Sequence, residues 1–284
     1  MVKIVTDSTS ALSAAVARQY DIPVLPQVIH FADASFLEGV EIDIPTFMQR
    51  LRAARELPKT SAPPPELFVE EFARLVPLGE PIICIHPTAE ASGTIRSVSV
   101  ARQEFPDADI RIIDTRITGS PMATMAVLAA QWAAAGVDAD TIEARVRDMS
   151  SRCRIYFVVA TLEYMARGGR IGGAAALLGG ILQVKPILTF NDGRVDLYAK
   201  ERTQRRAVAR LKELVLEQIA RDGTGYLSVM HAGVPEEGQA LANELAAQLG
   251  VDTVPLHDLP PTIVCHAGPG VLGVGFFTPA SSVA

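Results

Sequence analysis

The sequence predicts an α/β protein of two domains, an N-terminal one built on a mainly parallel sheet and a C-terminal one on a mixed sheet. Three observations carry this. The chain has 284 residues, enough for two α/β domains and long enough to bury roughly 73% of its unfolded surface without disulfides. Its first half alternates short β-branched runs with helical patterns, the signature of parallel βαβ units. Its second half carries Asn191-Asp192-Gly193 between two strand-like runs, a turn favouring positive φ and therefore a hairpin, which a purely parallel sheet excludes.

The elements follow in order. Val2 to Val5 reads as a strand and Ser10 to Arg18 as a helix with Ser10 as N-cap;. Pro81 to Ile85 and Ile110 to Ile113 read as strands, Glu66 to Leu75, Thr94 to Glu104 and Pro121 to Ala135 as helices;. Two proline-punctuated stretches, Ile22 to Pro45 and Pro58 to Pro65, read as loops of fixed shape;. A helix over Asp138 to Ser150 closes the first domain, placing the boundary near residue 150: domains of 1–150 and 151–284. Beyond it come a strand, Ile155 to Ala160, a short helix, Leu162 to Arg167, and Gly168-Gly169-Arg170-Ile171-Gly172-Gly173 leading into an Ala/Leu-rich helix. Pro186 to Phe190 and Val195 to Lys200 form the hairpin; helices Thr203 to Arg221 and Pro235 to Leu249 and strands Gly225 to Met230 and Val251 to Leu256 complete the second domain.

Composition narrows the function. Lys+Arg 26 against Asp+Glu 32 gives a formal charge of −6, which argues against a general nucleic-acid or anionic-membrane binder. Cys84, Cys153 and Cys265 lie far apart with no metal-ligand or disulfide spacing, so we expect a reducing cytoplasm and no metal. No secretory pattern opens the chain, and the longest apolar-rich runs, Ala174 to Val184 and Val271 to Phe277, are shorter than a membrane span;.

Chemistry-bearing residues are few. Asp7-Ser8-Thr9-Ser10 follows the first strand, at the edge where α/β sheets bind ligands; helix capping is the competing account, and the second Asp of an aspartyl phosphatase is replaced by Thr9;. Gly268-Pro269-Gly270-Val271-Leu272-Gly273 fits G-x-G-x-x-G, but only eleven residues follow it, too few for the rest of a dinucleotide-binding unit. These glycines instead imply close backbone approach, with His266 just ahead. Thr60-Ser61 and Ser92-Gly93-Thr94 are hydroxyl clusters, one in a rigid loop and one at a helix start; together they can bind a carboxylate or phosphate oxygen pair without a cation.

Taken in order, Val2-Lys-Ile-Val-Thr-Asp-Ser-Thr-Ser-Ala-Leu, Lys59-Thr-Ser-Ala-Pro, Ser92-Gly-Thr, Thr161-Leu-Glu-Tyr-Met-Ala-Arg-Gly-Gly-Arg-Ile-Gly, Val184-Lys-Pro-Ile-Leu and His266-Ala-Gly-Pro-Gly-Val-Leu-Gly resemble the signature segments of the DegV family of bacterial fatty-acid-binding proteins. The resemblance spans almost the whole chain. It implies one long-chain fatty acid enclosed between two α/β domains, its carboxylate held by Thr60, Ser92 and His266, with Ser61, Gly93, Thr94, Gly268 and Gly270 as further ligand-site residues. It also implies a carrier without catalytic residues or cofactor, presenting the fatty acid to a separate ATP-dependent fatty acid kinase that makes an acyl phosphate for phospholipid synthesis. No P-loop, kinase signature or triad is visible to contradict a carrier. Burying a 16-carbon tail would gain roughly 12 kcal/mol gross, so the tail supplies most of the affinity and the head site need only keep the carboxylate hydrogen-bonded. Ala174 to Leu182 and Val271 to Phe277 are the candidate tail-lining segments.

Departures from the family pattern centre on His86-Pro-Thr-Ala-Glu-Ala, where relatives carry a Ser/Gly-rich run. Glu90, if turned inward, would repel a carboxylate; solvent exposure is the expected fate, and His86 has no assigned part. Lys200 to Arg210 is strongly basic in an acidic chain; with Arg170, the residues Arg202, Arg205 and Arg206 make a candidate docking face for an acidic kinase, the alternative being an ordinary solvated helix face. The rival functional class is a stand-alone hydrolase or phosphotransferase using Asp7, Ser92 and His266.

Overall fold

The computed structural model describes residues 1–177 and 184–280. Residues 1–150 together with 260–262 form one unit; residues 151–259 and those from 263 onward form the other.

In the first unit the elements are β1 (Lys3–Asp7), α1 (Ala14–Gln19), β2 (Val24–Leu25), β3 (Val28–His30), β4 (Ser35–Leu37), α2 (Ile44–Ala53), β5 (Lys59–Ser61), α3 (Pro65–Leu75), β6 (Ile82–His86), α4 (Thr94–Arg102), β7 (Ile110–Asp114), α5 (Ser120–Ala134) and α6 (Ala139–Arg152). Four strands form a wholly parallel sheet in the order β2-β1-β6-β7. Its centre is β6, Ile-Ile-Cys-Ile-His, buried at every position, as a strand covered on both faces requires. Phe68, Phe72 and Leu75, spaced i, i+4, i+7 on α3, pack with Val98 and Ala101 of α4 against this sheet; each large side chain so buried contributes about 2 kcal/mol.

The second unit contains β8 (Cys153–Val158), α7 (Glu163–Arg167), β9 (Lys185–Asn191), β10 (Arg194–Glu201), α8 (Gln204–Gln218), β11 (Ser228–His231), α9 (Pro235–Leu249), β12 (Leu256–Asp258), α10 (Pro261–Ala267, whose first two residues belong to the first unit) and β13 (Leu272–Phe277). Its six strands lie in the order β10-β9-β8-β13-β11-β12, antiparallel except for the β11–β12 pair. The sheet is therefore mixed, as the hairpin signal required. Asp192 and Gly193 form its two-residue loop with φ of 49° and 80°, both positive as a turn matching the strand twist needs.

Several expectations are corrected. Neither proline-punctuated stretch is simply a loop: β3, β4 and β5 form a separate antiparallel sheet, order β4-β3-β5, with Thr60 opposite Ile29. Ser10 does not cap the first helix. It ends a 3-10 turn, Ser8–Ser10, and Ser13 caps α1 by accepting from the Val16 N–H at 3.3 Å. The Ala/Leu-rich helix is a 3-10 helix, Gly172–Leu177, over its described part; residues 178 to 183, and with them much of the first tail-lining segment, lie outside the described residues. In the second such segment, Leu272, Val274 and Phe276 of β13 belong to the core beneath α8 and α9, packed with Leu211, Val215 and Leu245. The Gly-Gly-Arg-Ile-Gly-Gly run has a steric reason: Gly172 has φ +51° and a Cβ there would fall 2.0 Å from the Val195 carbonyl oxygen on β10;.

Candidate functional site

An open parallel sheet binds ligands beyond its carboxyl edge, where strand order reverses. Here the order reverses between β1 and β6, and the last residues of those strands are Asp7 and His86. They meet: His86 Nδ1 lies 2.7 Å from Asp7 Oδ2, with both side chains wholly buried. Phe68 stands edge-on to the imidazole, centroids 5.4 Å apart. Asp7 Oδ1 accepts from the Thr9 backbone N–H at 3.0 Å, the Thr9 hydroxyl at 2.6 Å and Gln27 Nε2 at 3.0 Å. Four donors around one buried carboxylate remove the penalty of burying it unpaired.

From Gln27 the hydrogen bonds lead to the predicted head-group residues. Gln27 Nε2 also donates to Thr94 Oγ1 at 3.0 Å, and Thr94 Oγ1 lies 2.8 Å from Ser92 Oγ. Ser92 Oγ accepts from the Thr94 backbone N–H at 3.2 Å, the side-chain capping expected where a serine precedes a helix. The two hydroxyl clusters are neighbours: a Cβ built on Gly93 would lie 3.5 Å from the Ala62 Cβ, directly after Thr60 and Ser61. Thr60 and Ser92 are partly buried, while Ser61 and Gly93 are exposed. Ser61 Oγ lies 2.8 Å from His30 Nε2, and Ser35 Oγ lies 2.7 Å from His30 Nδ1. Glu90 is exposed.

Beside this network sits a carboxylate that sequence reasoning missed. Glu38, 4% exposed, receives the Ser8 hydroxyl at Oε2 and the Thr262 N–H, 2.6 Å away, at Oε1. Burial raises its pKa to about 7, against the lowering effect of the Ser8 and Thr262 hydrogen bonds and with a smaller push from the Asp7 charge;.

In the second unit, His266 lies on α10, partly buried. A Cβ on Gly168 would come 2.5 Å from its Nδ1, so the glycine after Arg167 is what admits the ring. Burial, then the positive charge of Arg170, lowers its pKa to about 4, making it a neutral imidazole at neutral pH. Arg170 itself donates to the Gly168 carbonyl at 2.7 Å. Gly268 and Gly270, with φ +79° and +83°, make the turn from α10 into β13; a Cβ on Gly268 would strike Tyr164 at 2.6 Å. Arg202, Arg205 and Arg206 are exposed around the start of α8, whereas Arg210 is taken up by Glu213 and Glu217 at 2.8 and 3.0 Å.

The buried partner of Asp7 is thus His86, a residue outside the Asp7, Ser92 and His266 set of the hydrolase reading. No signal short of the fold could have joined Asp7 with His86 or Gln27, since neither pairing has a local spacing. Among the described residues, no group of three or more His, Cys, Asp or Glu side chains is placed to hold a metal, and no helix is long and apolar enough to cross a membrane.

A family model described as "uncharacterised protein, DegV family" matches residues 1–279. A DegV domain-containing protein of Streptomyces coelicolor is 36% identical over 275 residues, covering 96% of this chain and 97% of the relative. Among solved structures, the fold is similar to that of a fatty-acid-binding DegV family protein from Thermus thermophilus, with TM-score 0.90, 28% identity and coverage of 98% and 99%. It is also similar to a stearic-acid-binding protein from Eubacterium ventriosum, with TM-score 0.88, 26% identity and full coverage of both chains. With the match running nearly end to end, the chain belongs to the DegV family.

Proposed function

We propose that this protein is a carrier that binds one long-chain fatty acid and holds its carboxylate through neutral hydroxyls, with Thr60 and Ser92 as principal donors and Ser61, Gly93 and Thr94 beside them. The observation that carries this is the convergence of the Thr60-Ser61-Ala62 segment and Ser92-Gly93 beside the strand-order reversal. A carboxylate is satisfied there by charge-assisted O–H donors, while the apolar tail supplies the bulk of the binding energy. Two similar solved proteins are described as binding fatty acids, which supports the ligand class. His266, in the other unit, is the third proposed head-group residue, a neutral imidazole whose N–H can donate to a carboxylate without adding charge; Gly268 and Gly270 shape the turn that follows it.

The chemistry of activating the acid is assigned to a separate ATP-dependent kinase acting in phospholipid synthesis, in the reducing cytoplasm that three cysteines outside any disulfide fit. Cys84, Cys153 and Cys265 are all buried, and none is in a disulfide;. The carrier reading is tested by mass spectrometry of lipid extracted from the purified protein. A stoichiometric long-chain fatty acid is expected. Its absence, with turnover of acyl or phosphoryl substrates by the protein alone, would favour the hydrolase instead.

Arg170, Arg202, Arg205 and Arg206 are the proposed docking residues for that kinase. Charge reversal of Arg202, Arg205 and Arg206 to glutamate should cut kinase turnover of the bound acid at low salt at least tenfold, through slower association, with fatty-acid binding unchanged. Unaltered turnover would remove the docking face.

A further inference from the structure

We propose that Asp7, Gln27 and Thr94 form a polarity relay that fixes Ser92 as an obligate hydrogen-bond donor to an anionic head group. The relay rests on the fatty-acid reading above, and its hydrogens run outward from the core. Asp7 Oδ1 is the acceptor for Thr9 and for Gln27 Nε2, so it is the amide nitrogen of Gln27, not its oxygen, that faces Asp7. That NH₂ group has two hydrogens. One goes to Asp7 and the other to Thr94 Oγ1, each across 3.0 Å.

Thr94 is wholly buried, so its own hydroxyl hydrogen must also find an acceptor. It has two neighbours within reach, Gln27 Nε2 and Ser92 Oγ. An amide nitrogen cannot accept. The hydrogen therefore goes to Ser92, whose Oγ is already receiving the Thr94 backbone N–H. Two incoming bonds use both lone pairs of Ser92, and its single hydrogen is directed away from Thr94. Asp7, Gln27 and Thr94 are all buried, whereas Ser92 is partly exposed, so the relay runs from the core to the one member a ligand can touch. His86 completes it by holding the far oxygen of Asp7. Gln27 and Thr94 are thus positioning residues, and they select a head group that accepts: the ionised carboxylate over its protonated acid.

The test uses the full-length protein stripped of lipid and palmitate carrying carbon-13 at the carboxyl. Competition binding gives the affinity, and the pH titration of the carboxyl resonance gives the pKa of the bound acid. Gln27→Glu turns the edge that faces Thr94 from donor to acceptor, so the Thr94 hydroxyl hydrogen goes to residue 27, Thr94 Oγ1 accepts from Ser92, and affinity for the ionised form should fall about tenfold. Because that loss falls on the ionised form alone, the bound pKa must rise by about one unit. Thr94→Val, which removes that competing acceptor, should cancel both effects of Gln27→Glu, and so should a Ser92→Ala background. Weaker binding with an unmoved bound pKa overturns the relay, since a general loosening weakens both protonation states alike. So does an undiminished Gln27→Glu effect in the Ser92→Ala background. Wild-type protein that binds no palmitate overturns the fatty-acid reading and the relay with it.

Discussion

Replacing Thr60 and Ser92 together by alanine should lower fatty-acid affinity by a hundredfold or more while the fold survives. Each hydroxyl removed leaves a buried carboxylate short of one charge-assisted hydrogen bond, worth roughly 1.5–3 kcal/mol, and the two losses fall on the same anion. The structural cost is small by comparison. Thr60 is partly exposed in the short strand β5, whose pairing with β3 runs through backbone atoms. Ser92 gives up two side-chain bonds, with the Thr94 N–H and with the Thr94 hydroxyl, about 1 kcal/mol each. Isothermal titration with palmitate, alongside circular dichroism and a thermal melt, measures both sides. Wild-type affinity in the double variant would refute the head-group assignment outright.

The second large effect concerns pH. Glu38 keeps its proton in the folded protein up to about pH 7 but releases it near 4.5 when unfolded. Between those values the folded state binds more protons, so this group makes the protein less stable as pH rises through the window, by about 3 kcal/mol in all. His266 works the other way. Its folded pKa of about 4 lies below the ordinary 6.5, so the unfolded state binds the extra proton, and the stability present above pH 6.5 is lost as pH falls toward 4. Being partly exposed, it contributes the smaller amount, about 2 kcal/mol.

Over the shared range of roughly pH 4.5 to 6.5 the two slopes oppose each other. Wild type should therefore vary little there, and each substitution should unmask the other group. Glu38→Gln keeps an acceptor for the Thr262 N–H without the buried charge; urea unfolding should find it more stable than wild type by about 2–3 kcal/mol at pH 8 and of rising stability from pH 4.5 to 6.5. His266→Gln should fall over the same range. Parallel profiles for wild type and Glu38→Gln would show that the Glu38 carboxyl titrates where an exposed one does.

Where periodicity was long and strong, the sequence could be read directly. The helix over Pro235 to Leu249 has the bounds expected of it, and the Asp192-Gly193 hairpin follows from turn stereochemistry alone. The small sheet β4-β3-β5 could not be read, because three-residue strands such as Lys59–Ser61 are too short to display an alternation;. The prolines around it mark its ends rather than a loop. The site divided in the same way. Thr60, Ser92 and His266 come as proposals from family resemblance, whereas the exposed fate of Glu90 was legible through its chemistry. Gln27 and Glu38 were not, since an isolated polar residue in a proline-rich stretch gives no sign that a fold will bury it at 2% or 4% exposure. His86 was noticed but had no role until β6 placed it against Asp7, 79 residues away in sequence.

The position of β13 in the six-stranded sheet bears on how the molecule is made. Its neighbours are β8 and β11, both of which leave the ribosome well before it does. Until Leu272–Phe277 emerges, β8, with its Ile, Phe and Val, and the wholly buried β11 wait with open hydrogen-bonding edges, the condition under which nascent chains associate wrongly. The second unit is thus built around a keystone delivered late. Its yield in the cell should depend on what shields those edges during synthesis more than on the stability of the finished fold.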